Sequence, residues 1–204
     1  MYVPPSFLET NQTILHDFIE QHSFATLISS HESEPVASHL PLLLDREAGP
    51  QGRLIGHMAR ANSQWQMAAN QRVLAIFHGP HAYISPGWME AQNVVPTWNY
   101  VSVHAYGTLR LIEDRGHLRD ILQRTVDQYE SMREQPWSMA SPGADFIEKL
   151  LGAIVGFEID IDRLEGKWKL NQNHPPERRG KIQRGLRETG RHDELQIAEL
   201  MNAT

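Results

Sequence analysis

Six stretches of this chain read as β-strands, and among the first five only one gap carries a helical pattern. The stretches are "FATLISS" (24–30), "PVASHLPLLLD" (35–45), "RLIGHMA" (53–59), "RVLAIFHGPHAYIS" (72–85), "TWNYVSVHAYGTLRLIE" (97–113) and "IVGFEIDID" (154–162). Parallel neighbours need a crossover of a dozen or more residues, usually a helix. With few such crossovers, the strands form an antiparallel sheet. Closing that sheet into a small barrel removes its exposed edges. "HESE" is the turn between the first two strands. Gly79-Pro80 reads as a break in the fourth strand, and Gly107 as a bulge or a close backbone approach in the fifth.

Helices surround this set. "MYVPPSF" is an extended arm, because Pro4 and Pro5 disfavour helix. Thr10 or Asn11 caps a helix with the apolar face Ile14, Leu15, Phe18 and Ile19. Residues 63–71 form a short helix, 114–130 a longer one, "ADFIEKLLGAI" another, and the polar tail from His174 is helical. Gly190 ends the first tail helix and Asp193 caps the second. The expected class is mainly β with helices (α+β).

Composition limits the function. There is no cysteine, which excludes disulfides, thiolate nucleophiles and cysteine metal sites. That absence, with no apolar span and no signal-peptide pattern, leads to the expectation of a cytoplasmic protein without a membrane partner. A formal net charge of −6 is not the balance of a protein that coats nucleic acid. No G-x-S-x-G, P-loop or G-x-G-x-x-G is present. The eleven histidines form no H-E-x-x-H, and His78 and His81 flank a Gly-Pro pair, so no metal site is expected.

Four clusters carry candidate chemistry. In "GHMARANSQW", Asn62 stands where a helix cap belongs, beside Arg60 and Ala61. Free N–H groups next to a guanidinium suit a phosphate; an ordinary cap with a surface arginine is the alternative. In "VPTWNYVSVHAYG", Trp98 and Tyr100 flank Asn99 and offer a flat wall with one amide, or plain strand packing. In "EGKWKLNQN", Lys167, Trp168 and Lys169 precede Asn171, Gln172 and Asn173, either a polar binding set or a solvated strand end. In "PVASHLP", Ser38, His39 and Leu40 precede Pro41, which removes a ladder donor. A phosphate site, a flat wall and many uncharged donors and acceptors together meet the needs of flavin mononucleotide (FMN).

"MYVPPSF", "GHMARANSQW", "AIFHGPHAYISPGW", "VPTWNYVSVHAYG" and "KWKLNQN" together resemble the PaiB family of FMN-binding negative transcriptional regulators, from Met1 to about Met201. The resemblance implies a split antiparallel β-barrel of the FMN-binding type, a homodimer and FMN as cofactor. It implies an FMN-binding domain over 1–173 and a helical tail over 174–204 packed on the barrel. Carried onto this sequence, the phosphate turn is Arg60, Ala61 and Asn62. The strand beside the ring is Ser38, His39 and Leu40, and the late basic strand runs Trp168, Lys169, Asn171, Gln172. Ser63 and His174 depart from the family's usual pattern, in which a proline and a basic residue are common at these places.

Three functions stay open: an FMN-binding repressor, a flavin-dependent oxidoreductase of the split-barrel class, and a haem-binding or haem-degrading split barrel. No acid/base pair stands out, and a flavin enzyme does not require one. The DNA candidate is the tail, where Lys181, Arg184, Arg187 and Arg191 recur at helical spacing. A basic solvated helix packed on the barrel is the alternative.

Overall fold

The computed structural model describes residues 1–202. Among them eight strands are hydrogen-bonded in the order β3-β2-β6-β7-β8-β5-β4, with β1 added on β8. They are β1 (Leu8–Glu9), β2 (Phe24–His31), β3 (Glu34–Pro41), β4 (Leu43–Asp45), β5 (Arg53–Ala59), β6 (Arg72–Ile84), β7 (Thr97–Ile112) and β8 (Ile154–Lys169). Helices are α1 (Gln12–Gln21), α2 (Gln64–Ala68), α3 (Arg115–Glu130), α4 (Ala144–Leu151), α5 (Pro176–Thr189) and α6 (His192–Leu200). The registered pairs β1–β8, β2–β3, β2–β6, β4–β5 and β5–β8 are all antiparallel. The chain divides into two compact units. A terminal unit holds Met1–Phe18, Phe77–His104 and the chain from Glu165 on. A central unit holds Ile19–Ile76 and Ala105–Leu164.

In the central unit, β2 buries Ala25, Leu27 and Ser29 on alternate positions, the signature of a half-buried strand. The turn into β3 uses positive φ at both Glu32 and Ser33, as a tight hairpin requires. The single strand expected over 35–45 is two. β3 ends at Pro41, and the Leu42 N–H turns back to the Ser23 carbonyl at 2.9 Å. β4 then pairs with β5, Leu43 opposite Ile55. Gly56 of β5 lies against Leu42 and the Pro41 carbonyl, so β3 reaches β5 with no ladder between them. That gap is the split in the sheet. Asp114 caps α3 by accepting from the His117 N–H at 2.7 Å. Leu118 packs with Met139, Ile147 and Leu151, and Ile121 with Leu43 and Ile55.

In the terminal unit, Asn11 caps α1 through its Oδ1, which accepts from Thr13 and Ile14. Leu15 and Phe18 are buried, whereas Ile14 of the expected face is exposed. The opening arm is not wholly extended: Pro5–Phe7 make a 3-10 turn before β1, too short to carry a period. β6 runs unbroken through Gly79-Pro80, contrary to the break expected there. Its burial changes phase instead, from Val73, Ala75 and Phe77 to Pro80, Ala82 and Ile84, as an extra residue in a bulged strand would cause. β8 continues to Lys169, beyond the alternation that ends at Asp162. Gly190 closes α5 in the left-handed region (φ 67°), as its sequence position suggests. Asp193 does not cap α6; Arg191 holds that position without a side-chain bond, and the Asp193 carboxylate lies 3.5 Å from His81 Nδ1.

Gly107 marks a close approach. A Cβ there would stand 2.2 Å from the Asp160 carbonyl oxygen on β8, which is backbone and cannot swing away. Gly107→Ala is expected to cost about 3 kcal/mol, the upper end for overpacking. Gly180 is the control: it lies inside α5 with nothing within 4 Å of a Cβ. Gly180→Ala is expected to stabilise by about 0.5–1 kcal/mol. Urea melts of the two variants should therefore shift in opposite directions.

Candidate functional site

In the central unit, the turn after β5 is tied down at every residue that the sequence singles out except Ala61, which is simply exposed. The Arg60 N–H donates to the Ala153 carbonyl at 2.8 Å. Arg60 Nε and Nη2 donate to the carbonyls of Gly152 and Ile154, both at 2.9 Å. The guanidinium is thereby held in one orientation, with its Nη1 side outside those two bonds. Asn62 does not hold the cap position expected of it: Ser63 is the N-cap of the five-residue α2, without a side-chain bond, and Asn62 Oδ1 instead accepts from the Gln64 N–H at 3.0 Å in a local turn before the helix. Asn62 Nδ2 donates to Ser38 Oγ at 2.8 Å, which joins the turn to β3. A hydroxyl that accepts still has its own hydrogen to give. Alternation along β3 puts Ser38 and Leu40 on one face and His39 on the other, where Thr26 Oγ1 is 3.1 Å from its Nδ1. β3 is an edge strand whose strand ladder is with β2, as the proline-flanked sequence suggests.

Gln64 escaped the sequence reading. It is 0 % exposed, and its Nε2 lies within bonding distance of the Leu27 carbonyl, Ser29 Oγ and the Val36 carbonyl. One amide thus fixes α2 against both β2 and β3. Such reach between elements leaves no local pattern. Gln64→Ala removes these bonds and opens a void, and is expected to cost about 2–4 kcal/mol. A thermal melt unchanged by the substitution would show that the amide does not hold the turn.

In the terminal unit, β7 turns Trp98 and Tyr100 to its open face and Asn99 inward. Trp98 is 52 % exposed and has His81 at 5.9 Å and Tyr83 edge-on at 6.0 Å. An open groove of about 420 Å³ runs along this face, lined by Met1, His78, His81, Trp98, Tyr100 and His104. Asn99 is fully buried; its Nδ2 faces Met201 Sδ at 3.7 Å, and its Oδ1 has no hydrogen-bond partner among the described residues. Lys167 Nζ sits 5.0 Å from the centre of the Tyr100 ring and donates to the Tyr2 carbonyl at 3.0 Å. Burial, and not exposure, also describes Trp168, whose ring meets Phe18 edge-on at 5.3 Å. Lys169 Nζ donates to Thr97 Oγ1 at 2.6 Å. Gln172 closes the turn after β8: its Oε1 accepts from the Leu170 N–H and its Nε2 donates to the Trp168 carbonyl. Asn171 takes a positive φ of 58° in that turn, and its buried Oδ1 lacks a partner among the described residues.

Taken unit by unit, the groups fit parts of FMN: in the central unit the fixed Arg60 suits a phosphate, and in the terminal unit the orphaned Asn99 and Asn171 oxygens, Lys169 and the exposed Trp98 suit a hydroxylated chain and a planar ring. The chain matches the family described as "Putative FMN-binding domain" over residues 1–163. It is 35 % identical over 204 residues to Protease synthase and sporulation protein PAI 2 of Bacillus subtilis, covering 98 % of this chain and 96 % of that one. Two solved structures share the fold at low identity. The flavocytochrome Anf3 of Azotobacter vinelandii superposes with a TM-score of 0.60 at 16 % identity, over 79 % of this chain and 69 % of that one. The FAD and heme binding protein of Mycobacterium smegmatis gives 0.55 at 17 % identity, over 79 % and 73 %. The fold is the expected split antiparallel β-barrel with peripheral helices. The chain belongs to the PaiB-type FMN-binding family, and FMN is its cofactor.

Proposed function

We propose that this protein is a homodimeric, cytoplasmic negative transcriptional regulator that binds FMN. The observation that carries the reading is the full-length similarity to a protein named for protease synthesis and sporulation. The tail supplies the charge for DNA. Ile182, Gly185 and Leu186 are the buried side of α5, which leaves Arg184 and Arg187 exposed. Lys181 contributes less, because Glu90 at 2.8 Å and Glu177 at 3.2 Å already hold its ammonium. Arg191 lies 3.5 Å from Glu194.

FMN contacts are proposed for Ser38, His39, Leu40, Arg60, Ala61 and Asn62 in the central unit. In the terminal unit they are proposed for Trp98, Asn99, Tyr100, Trp168, Lys169, Asn171 and Gln172. When bound, FMN supplies a redox-active ring. The chain's own groups orient it: Arg60 and the Ser38 hydroxyl as donors, Trp98 and Tyr100 as an apolar wall.

Two measurements test this. Replacing Arg184, Arg187 and Arg191 by Ala is expected to weaken DNA binding and flatten its salt dependence by about one unit of slope per lost phosphate contact. FMN affinity should stay as it was. A wild-type protein without salt-sensitive DNA binding refutes direct repression. The second measurement compares flavins by calorimetry. Arg60→Ala is expected to weaken FMN by about ten- to a hundredfold and riboflavin much less, because charge-assisted bonds to phosphate contribute about 1.5–3 kcal/mol. Equal losses for both flavins would mean that the variant has only released the Gly152 and Ile154 carbonyls and loosened the turn.

A further inference from the structure

We propose that Glu148 is a positioning residue for FMN binding: by bolting α4 to α3 it fixes the main-chain carbonyls that orient Arg60. The inference rests on the phosphate contact proposed for Arg60, and it concerns what holds that arginine and not the contact itself.

Consecutive carbonyls at the end of α4 all accept from one residue of another element. The Gly152 carbonyl accepts from Arg60 Nε and the Ile154 carbonyl from Arg60 Nη2, both at 2.9 Å. Between them the Ala153 carbonyl accepts from the Arg60 N–H at 2.8 Å. The Arg60 carbonyl is tied as well, by the Trp65 indole N–H at 3.0 Å. Gly152 is the C-cap of α4. A helix ends in carbonyls that have no partner inside it, at the negative end of its dipole, where a cation is favoured. Arg60 therefore caps α4, and α4 in turn sets the direction of Arg60. A guanidinium is planar and turns as one body, so a shift of either carbonyl re-aims the remaining Nη1 side.

Two kinds of contact hold α4. Its buried side, Ile147 and Leu151, packs with Leu118 of α3 and with Met139. Apolar burial is non-directional, so it decides which side faces inward and not the pitch of the helix. Glu148 supplies the direction. Its carboxylate accepts from Arg115 Nη2 at 3.1 Å and is paired with Arg119, one turn further along α3. Arg115 Nη2 also donates to the Glu148 carbonyl at 3.2 Å, the carbonyl that accepts from the Gly152 N–H at 3.3 Å. A continuous run of bonds leads from α3 through Glu148 and Gly152 to Arg60 Nε. These ion pairs are exposed, and exposed pairs add little to stability. What they fix is geometry. Without them Arg60 spreads over several orientations, and ordering it becomes part of the cost of binding a phosphate. Riboflavin has no phosphate and does not draw on that orientation.

Calorimetric titration of the full-length protein with FMN and with riboflavin tests the role. Glu148→Gln keeps the shape of the side chain and removes its charge. It is expected to weaken FMN by about three- to tenfold, leave riboflavin as it was and lower the melting temperature little. Glu148→Ala is expected to do at least as much to FMN. Lys149→Ala, at the exposed neighbouring position, should change neither flavin. In an Arg60→Ala background, Glu148→Gln should cause no further loss of FMN, because it acts only through the arginine. If Arg60→Ala weakens FMN selectively while both Glu148 variants bind it as wild type does, or more tightly, the contact of Arg60 stands and the positioning role of Glu148 falls. If Arg60→Ala spares FMN, both fall. Equal losses of FMN and riboflavin in the Glu148 variants, or a further loss of FMN on top of Arg60→Ala, mean that Glu148 only supports the fold, and they overturn the proposal too.

Discussion

The two sides of β8 at its C-terminal end govern the terminal unit. Gly166 and Trp168 face α1, and Lys167 between them faces the rings of Tyr2 and Tyr100. The inward set is fixed by α1. Leu15 lies against Gly166, where a Cβ would come within 2.3 Å of it, and Phe18 meets Trp168 edge-on. Phe18 also covers Gly79 of β6. With the tryptophan held by this helix, a one-residue slip would turn Lys167 onto α1 and take the indole off it. Packing on one side of the strand therefore sets the chemistry on the other.

Much of this was legible in the sequence. Period-two stretches located β2, β5, β7 and the first half of β8, and Asn11 and Gly190 marked helix ends through their capping chemistry. The β3–β4 split was not legible, because Leu42, Leu43 and Leu44 continue the apolar run and Pro41 signals only a missing N–H. The second half of β8 carries Arg163, Glu165, Lys167 and Lys169, which read as solvated chain. Lys167 is nevertheless only 7 % exposed, its stem covered beside Tyr2 and Tyr100. Long amphipathic side chains can lie buried to the tip when an aromatic face and a carbonyl receive the ammonium.

The candidate site shows the same division. Asn62 before a helical pattern announced a cap, and the helix does start there, but Ser63 takes the cap position and Asn62 closes a local turn one residue earlier. The sequence could not tell that Arg60 would spend two donors on main-chain carbonyls, or that Gln172 would close its own turn. Nor could it show that Gln64 ties α2 to β2 and β3. Those choices depend on which carbonyls tertiary structure brings within reach.

β3 has a consequence for life at high concentration. As an edge strand it presents one row of backbone groups outside any ladder, and such rows invite the strands of other molecules. Pro35 stands near its start and Pro41 at its end. Neither can donate, so an incoming strand could bond only along the short span between them. The split that leaves this edge open is thus bracketed by two residues that cannot donate to a strand added there, which shortens the ladder a neighbour could build.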